Sequence, residues 1–311
     1  MAAEASQALG GWGVLWAIIA GAIRGGTPFL FVSLGECLTE KSGKINLGLE
    51  GTLLSGAMSA YAVSYLTGSP WLGVLVAGLA GMGLGLIHGW LSQQPRVNDV
   101  AVGIAMIIFG SGVAFFFGKP FIQPKAPQLP TIDLGAWSSN PGVQSALQIS
   151  PLFLLGLAIA PIMFWFFKST RWGLFIRAVG DSPDAARAMG ISIFKVRMLS
   201  IMAGGFLAGI GGASLSLYYP GLWTERISSG QGLMAVALVI FARWNPMQCL
   251  VASLLFGGAQ AIGPAFQSIG IQQGYYLFNA APYVLTLLIM MLTCSPRRSL
   301  TGAPGALGMD N

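Results

Sequence analysis

WLGVLVAGLAGMGLGLIHGWL, residues Trp71–Leu91, decides the fold class. The stretch holds no acid, lysine or arginine, and its one histidine, His88, is the only histidine in the chain. Coiled into a helix at about 1.5 Å per residue, it is about 30 Å long, the thickness of a bilayer's hydrocarbon core. Gly81, Gly85 and Gly89 recur every fourth residue and lay a flat strip along one face of that helix. Strips of small residues let membrane helices approach closely, so the segment reads as a spanning helix packed tightly on a neighbour.

Runs of the same character lie on either side: Trp12–Gly35, Ile45–Leu66, Val97–Gly118, Ile149–Phe167, Val196–Tyr219, Gly230–Ala242, Met247–Phe266 and Tyr275–Cys294. Together they predict an all-α integral membrane protein, a polytopic helical bundle of about nine transmembrane helices (roughly 8–10). Gly230–Ala242 is short for a full crossing and reads equally as a half-helix or a re-entrant segment. Arg24, Gly25, Gly26 and Pro28 interrupt the first run, which predicts a kink or a break there. Gly205/Gly209 and Ala208/Gly212 form a second strip of small residues in Val196–Tyr219.

Composition excludes a soluble enzyme. Hydrophobic residues make up 54% of the chain and charged ones 8%, with mean hydropathy +0.71. A soluble domain carries roughly 25% charged residues, because it must cover its surface with polar groups. The lipid bilayer is therefore the surrounding medium. The net charge of +6 does not indicate a nucleic-acid partner, because the basic residues lie between hydrophobic runs rather than along one stripe. Lys41 and Lys44, then Arg96, then Lys168, Arg171, Arg177, Arg187, Lys195 and Arg197, then Arg297 and Arg298 all fall on one side if the runs alternate. By the positive-inside rule that side is cytoplasmic. Residues 1–311 then form a single transmembrane domain with two larger excursions. The external loop 119–148, with Pro120, Pro124, Pro127, Pro130 and Pro141, reads as an extended segment without a core. The segment 168–197 is cytoplasmic. The N-terminal MAAEASQALGG has no basic n-region, so it is expected to be retained.

Catalytic chemistry finds no carrier. With His88 alone, the chain cannot build a Ser-His-Asp triad or a histidine metal cluster, and no catalytic or metal residue is assigned. Cys37, Cys249 and Cys294 lack zinc spacing and read as small buried hydrophobes. Gly43-Lys44 resembles the end of a phosphate loop, but Leu38 stands where its first glycine should be and Ile45 where the magnesium-binding Ser or Thr belongs. ATP and magnesium, if used, bind partner subunits.

Polar groups within apolar runs need partners. Glu36, Asp99 and Arg243 read as interfacial helix ends. Asn46 and Glu50 share a face at i, i+4 spacing, and Glu50 either meets another helix through a partner such as Arg24 or faces a substrate. Gln231, Gln260 and Asn279 are uncharged and suit hydrogen bonding to a polar solute or to another helix. The candidate substrate path is accordingly Asn46, Glu50, Gln231, Gln260 and Asn279. No chain of intramembrane acids and histidines of the kind that drives ion-coupled transport appears.

The segment TRWGLFIRAVGDSPDAARAMGISIFKVRM, Thr170–Met198, is basic and amphipathic. Asp181, Ser182 and Pro183 signal a helix start and Gly190 a stop. RAVGDSPDAARAMGI (177–191), followed by Lys195 and AGGFLAGIGGA (203–213), resembles the coupling-loop motif of bacterial ABC importer permeases, in the branch that takes up ribose, branched-chain amino acids and nucleosides. GECLTEKSGKINLGLEGTLLSGA (35–57) is similar to a block of the nucleoside-uptake permeases that work with receptors of the basic membrane protein class, and GGAQAIGP (257–264) fits loosely.

This resemblance implies the ABC importer permease fold in a bacterial cytoplasmic (inner) membrane. It also implies a second homologous permease chain, ABC ATPase subunits that hold ATP and magnesium, and an external substrate-binding protein or lipoprotein. Arg177, Gly180, Asp181, Ala185 and Gly190 are its coupling residues to the ATPase. Nucleosides or related nucleobases are the expected substrate. A sugar or branched-chain amino acid permease is the alternative, and an ion-coupled secondary transporter is the alternative of another class.

Overall fold

The computed structural model describes residues 10–268, 278, 280–293 and 302–308. Its main helices are α1 Gly10–Lys41, α2 Leu49–Thr67, α3 Pro70–Ser92, α4 Asp99–Gly118, the short α5 Pro141–Ala146, α6 Pro151–Ser169, α7 Arg171–Asp181, α8 Pro183–Ala188, α9 Ile193–Leu217, α10 Gln231–Phe241, α11 Pro246–Ser268 and α12 Ala281–Thr293. Each of the predicted hydrophobic runs contains a helix. Six helices among the described residues are long and apolar enough to span a bilayer: α1, α3, α4, α6, α9 and α11. The chain is thus an all-α polytopic membrane protein, and the expected nine full-length spans are not reached among the described residues. Residues α2 supplies to the interior include Glu50, Thr52 and Ser55, and α10 has only 11 residues.

Several helix ends follow from local chemistry. Asn98 accepts the Val100 and Ala101 amides and starts α4, while Ser150 and Thr170 cap α6 and α7 through their side-chain oxygens. Each oxygen satisfies amides that the first helical turn leaves unpaired. Gly68, in the left-handed region at φ 72°, closes α2. The predicted break in α1 is absent: the helix runs unbroken for 32 residues through Pro28. The Thr27 hydroxyl donates to the Ile23 carbonyl at 2.7 Å, taking up an acceptor close to where proline removes a donor.

The core is organised around α9, which packs on α1, α2 and α3 and touches α7 and α8. The two glycine strips read from the sequence are the two sides of one contact. A Cβ on Gly81 would collide with the Gly205 carbonyl oxygen, and one on Gly205 with the Gly81 carbonyl oxygen. Gly209 abuts the Ala77 carbonyl from α9, and Gly85 abuts that of Ile201. The same α9 surface meets α2, where a Cβ on Gly56 would lie 2.5 Å from the Gly209 carbonyl oxygen. Backbones this close gain dispersion contacts that larger side chains would prevent. The opposite faces of α3 and α4 carry Trp71, Leu75, Leu79, Ile104, Ile108 and Phe116, all exposed, as lipid-facing helices require.

The proline-rich loop is more structured than its composition predicts. Tyr61 and Ser64 of α2 donate to the carbonyls of Pro124 and Pro127, and the Leu129 amide donates to that of Leu217. Ala126, Leu129, Val143 and Ala146 are buried, and Ile132–Asp133 pairs antiparallel with Gln148–Ile149. Proline lacks an amide donor but keeps a carbonyl acceptor, and two of these acceptors tie the loop to the bundle.

The α3–α9 contact predicts a sharp contrast between neighbouring glycines. Gly81→Val should destabilise the protein by about 3 kcal/mol, at the upper end of overpacking costs. Gly83→Val, whose added Cβ would meet nothing within 4 Å, should leave stability unchanged. Thermal unfolding in detergent measures both; equal melting temperatures would contradict the packing described.

Candidate functional site

The segment 42–48 joins α1 to α2 without helix and carries the chain inward, so that α2 begins well inside the bundle. Gly51 packs on Met106, Ile107 and Gly110, about 10–17 Å along α4 from its start at about 1.5 Å per residue. Three side chains hold this segment. Lys44 pairs with Asp99 at 2.9 Å, Glu36 accepts the Asn46 amide at 2.7 Å, and the Asn46 side chain accepts the Gly48 amide at 2.9 Å. Glu36 and Asn46 are buried, and Asp99 stands at the first turn of α4. Glu36 is therefore an interior anchor for this turn, which corrects its reading as an interfacial end.

Glu50, at the inner end of this segment, meets the start of α10. Its carboxylate accepts the Ser228 hydroxyl at 2.5 Å, the Gly230 amide at 3.0 Å and the Gly232 amide at 2.7 Å. The first amides of a helix have no intrahelical acceptors and carry its positive dipole end, so a buried carboxylate is stabilised there. At about 1.5 Å per residue α10 is about 16 Å long, half the hydrocarbon thickness. It is too short to cross the hydrocarbon alone, and through Glu50 it starts level with the middle of α4. Arg24, suggested by the sequence as a partner for Glu50, instead donates to the Ser145 carbonyl at 2.7 Å.

At the other end of α10, Arg243 and Trp244 both adopt left-handed backbone, with φ 48° and 54°. Such conformations persist where surrounding contacts impose them. Here the Trp244 indole donates to Glu40 and the Cys37 thiol donates to the Trp244 carbonyl at 3.2 Å. Glu40 and Ser228 were not singled out from the sequence. The i, i+4 acids Glu36 and Glu40 just past the first apolar run, and the Ser-Ser-Gly that precedes α10, were the signals available.

The first residue of α10, Gln231, donates its amide to the Gln260 side-chain oxygen at 3.3 Å. Gln260 lines a cleft of about 310 Å³ with Arg24, Gly25, Ser145, Tyr219 and Gly257. Gln231 is thus linked to the cleft wall through Gln260, and Glu50 holds the backbone amides on either side of Gln231. Asn46 is engaged in its own turn, away from the cleft. Asn279 lies outside the described residues.

The expected signals in the segment 168–197 take shape as α7, α8 and the turn after them. Ser182 is extended between the two helices and its hydroxyl accepts the Ala185 amide at 3.4 Å. Gly190 ends the segment in the left-handed region, its amide donating to the Arg187 carbonyl at 2.9 Å. Asp181, Ala185 and Gly190 are exposed, Arg177 is half-buried and Gly180 is buried. Gly180 packs so closely on the Lys41 carbonyl oxygen that no Cβ fits. It therefore seats the root of the segment on α1, while α8 is presented outward.

Against known proteins, the family described as branched-chain amino acid transport system / permease component matches residues 7–294. A Haloferax volcanii protein named, provisionally, as a glucose ABC transporter permease is 35% identical, over 80% of this chain and 77% of that one. The guanosine ABC transporter permease of Bacillus subtilis is 31% identical, covering 85% and 87%. A nucleoside ABC transporter permease of Lactococcus lactis is 28% identical, covering 88% and 91%.

The geometry at Glu50 predicts graded losses. Glu50→Ala would strand two amides and a hydroxyl and should cost about 3 kcal/mol of stability. Glu50→Gln keeps one acceptor oxygen and should cost about half as much. Detergent melting curves of the two variants test this; an Ala variant as stable as wild type would remove Glu50 from its capping role.

Proposed function

We propose, from the premise that the chain belongs to the branched-chain amino acid transport system / permease component family, that its substrate is a nucleoside or related nucleobase. As a permease of that family it is the membrane-spanning part of an ABC transporter. The observation that carries the substrate reading is a pair of hydrogen-bonded neutral amides, Gln260 on the wall of the cleft that Arg24 also lines and Gln231 bonded to it. The N-terminus of α10, which would otherwise attract an anion, is already neutralised by Glu50. Gln260 faces the cleft, and Gln231 reaches it through its hydrogen bond to the Gln260 side chain. Primary amides both donate and accept, which suits the edges of a neutral base or sugar. The guanosine and nucleoside permeases named above support this reading. A sugar is the second reading, favoured by the 35% identical Haloferax protein.

In the proposed assembly the end bearing Lys41, Lys44 and Arg96 faces the cytoplasm of a bacterial inner membrane, and the loop 119–148 faces out. ATPase subunits, with their ATP and magnesium, dock at Asp181, Ala185 and Gly190, which the exposure of α8 supports. A second permease chain completes the path and an external binding protein delivers the substrate. The chemistry of hydrolysis belongs to the ATPase subunits, and this chain converts their movement into opening of the path.

Two experiments test the proposal. Counterflow of radiolabelled guanosine in the reconstituted complex should be competed by adenosine and not by glucose or leucine; competition by glucose alone would establish the sugar reading. Gln260→Ala should raise KM for the transported solute about tenfold, as expected for about 1.4 kcal/mol of lost hydrogen bonding, with assembly intact. An unchanged KM would remove Gln260 from the path.

A further inference from the structure

The stretch Gly302–Gly308 lies beyond the residues matched by the family, yet it is seated at the root of the coupling segment. Pro304 and Ala306 are buried, and a short 3-10 turn over Gly305–Gly308 is closed by the Leu307 amide donating to the Pro304 carbonyl at 3.1 Å. Four parts of the molecule meet this turn. Gly305 abuts the Asp181 carbonyl oxygen at the end of α7 too closely for a Cβ. The Ala306 methyl packs on Gly43, where an added Cβ would lie 2.8 Å from it. Gly302 borders the Arg243 carbonyl at the strained end of α10. Leu307 lines a cavity of about 440 Å³ with Gly43, Ile45, Arg96 and Asp99, at the start of α4.

We propose that Gly302–Gly308 is a positioning strap that locks the root of the coupling segment to the ends of α1, α4 and α10. The inference rests on the coupling role proposed above. A push on α8 can be absorbed at the extended Ser182 joint, because α8 is six residues long and buries only Ala186. The strap blocks that escape. It bears on Asp181, immediately before the joint, and on the two turns that begin and end the inner half of the path. Glycine and alanine at 305 and 306 are what the space between Asp181 and Gly43 accepts, so the fit is one of shape rather than of charge.

The test uses the complete complex in proteoliposomes, with the solute identified by counterflow among guanosine, glucose and leucine. The readout is solute transported per ATP hydrolysed. Deletion of residues 302–308, and separately Gly305→Val, should leave ATPase subunits bound while lowering this ratio about fivefold or more, the scale of an ordinary coupling free energy. Gly305→Val keeps the inference testable should the deletion fail to insert. Ala185→Trp, on the exposed docking face, should instead release the ATPase subunits. A wild-type ratio in the strap variants beside a defective Ala185→Trp overturns the strap and leaves the coupling role standing. A smaller yield of complex with an unchanged ratio also overturns it, since that marks a merely structural part. Wild-type behaviour in all three variants overturns the strap and the coupling role together.

Discussion

The contact between the Glu50 carboxylate and the first amides of α10 is the constraint on which the inner architecture depends. Ending a helix at mid-depth in a bilayer exposes unpaired amides to hydrocarbon, at a cost of several kcal/mol for each group left unsatisfied. Glu50 accepts two of them and the Ser228 hydroxyl as well. The carboxylate itself is tolerable there because the helix dipole and three donors replace its water. Neither partner could be buried without the other. Getting Glu50 to that depth requires the inward turn 42–48, and that turn is held by Glu36, Asn46 and the Lys44–Asp99 pair. The polar residues in the α1–α2 block are therefore one connected device for placing a half-helix.

Around this device the bundle is held by close backbone contact rather than by large side chains. Water is absent from the hydrocarbon, so apolar burial gives little drive for one helix to leave lipid for another, and packing must supply the difference. The α9 surface uses Gly204, Gly205, Gly209 and Gly212 to admit α1, α2 and α3 at once. A helix surrounded on so many sides has little surface left for lipid, which is why α9 is more buried than α3 or α4.

The spanning helices, their basic flanks and the two glycine strips were legible in the sequence because each depends on composition and period within a single segment. So were the Ser182 cap and the Gly190 stop, which depend on neighbours two or three residues away. Partner choice was not legible. Arg24 and Glu50 look like complementary charges along the chain, but the chain path delivers Arg24 to Ser145 and Glu50 to Gly230 and Gly232. Glu36 looks interfacial by position, and only the inward turn after α1 makes it interior. The proline-rich loop misled for a related reason, since composition reports the missing amides of proline and is silent on its carbonyls. Of the residues proposed for the path, the pairing of Gln231 with Gln260 required knowing that α10 starts level with the point where α11 presents Gln260.

The two ends of α10 are held differently, and the difference bears on how movement could reach the path. Its start is fixed by charge-assisted hydrogen bonds to α2, which are short and directional. Its end is fixed to α1 through Trp244 and Glu40, across two residues in left-handed backbone that cost about 1–2 kcal/mol each. The strained end is the one that can yield. It is also the end nearest the segment 168–197, because Gly180 rests on Lys41, the residue after Glu40. On the proposed coupling role, a displacement of α7 arrives at α1 beside the Glu40–Trp244 contact before it reaches any other contact of α10. Relaxing Arg243 and Trp244 would let α10 tilt about its firm start at Glu50. Gln231 would then turn in place beside Gln260 rather than travel, so the path could change which side it opens to while keeping its polar groups at the same depth.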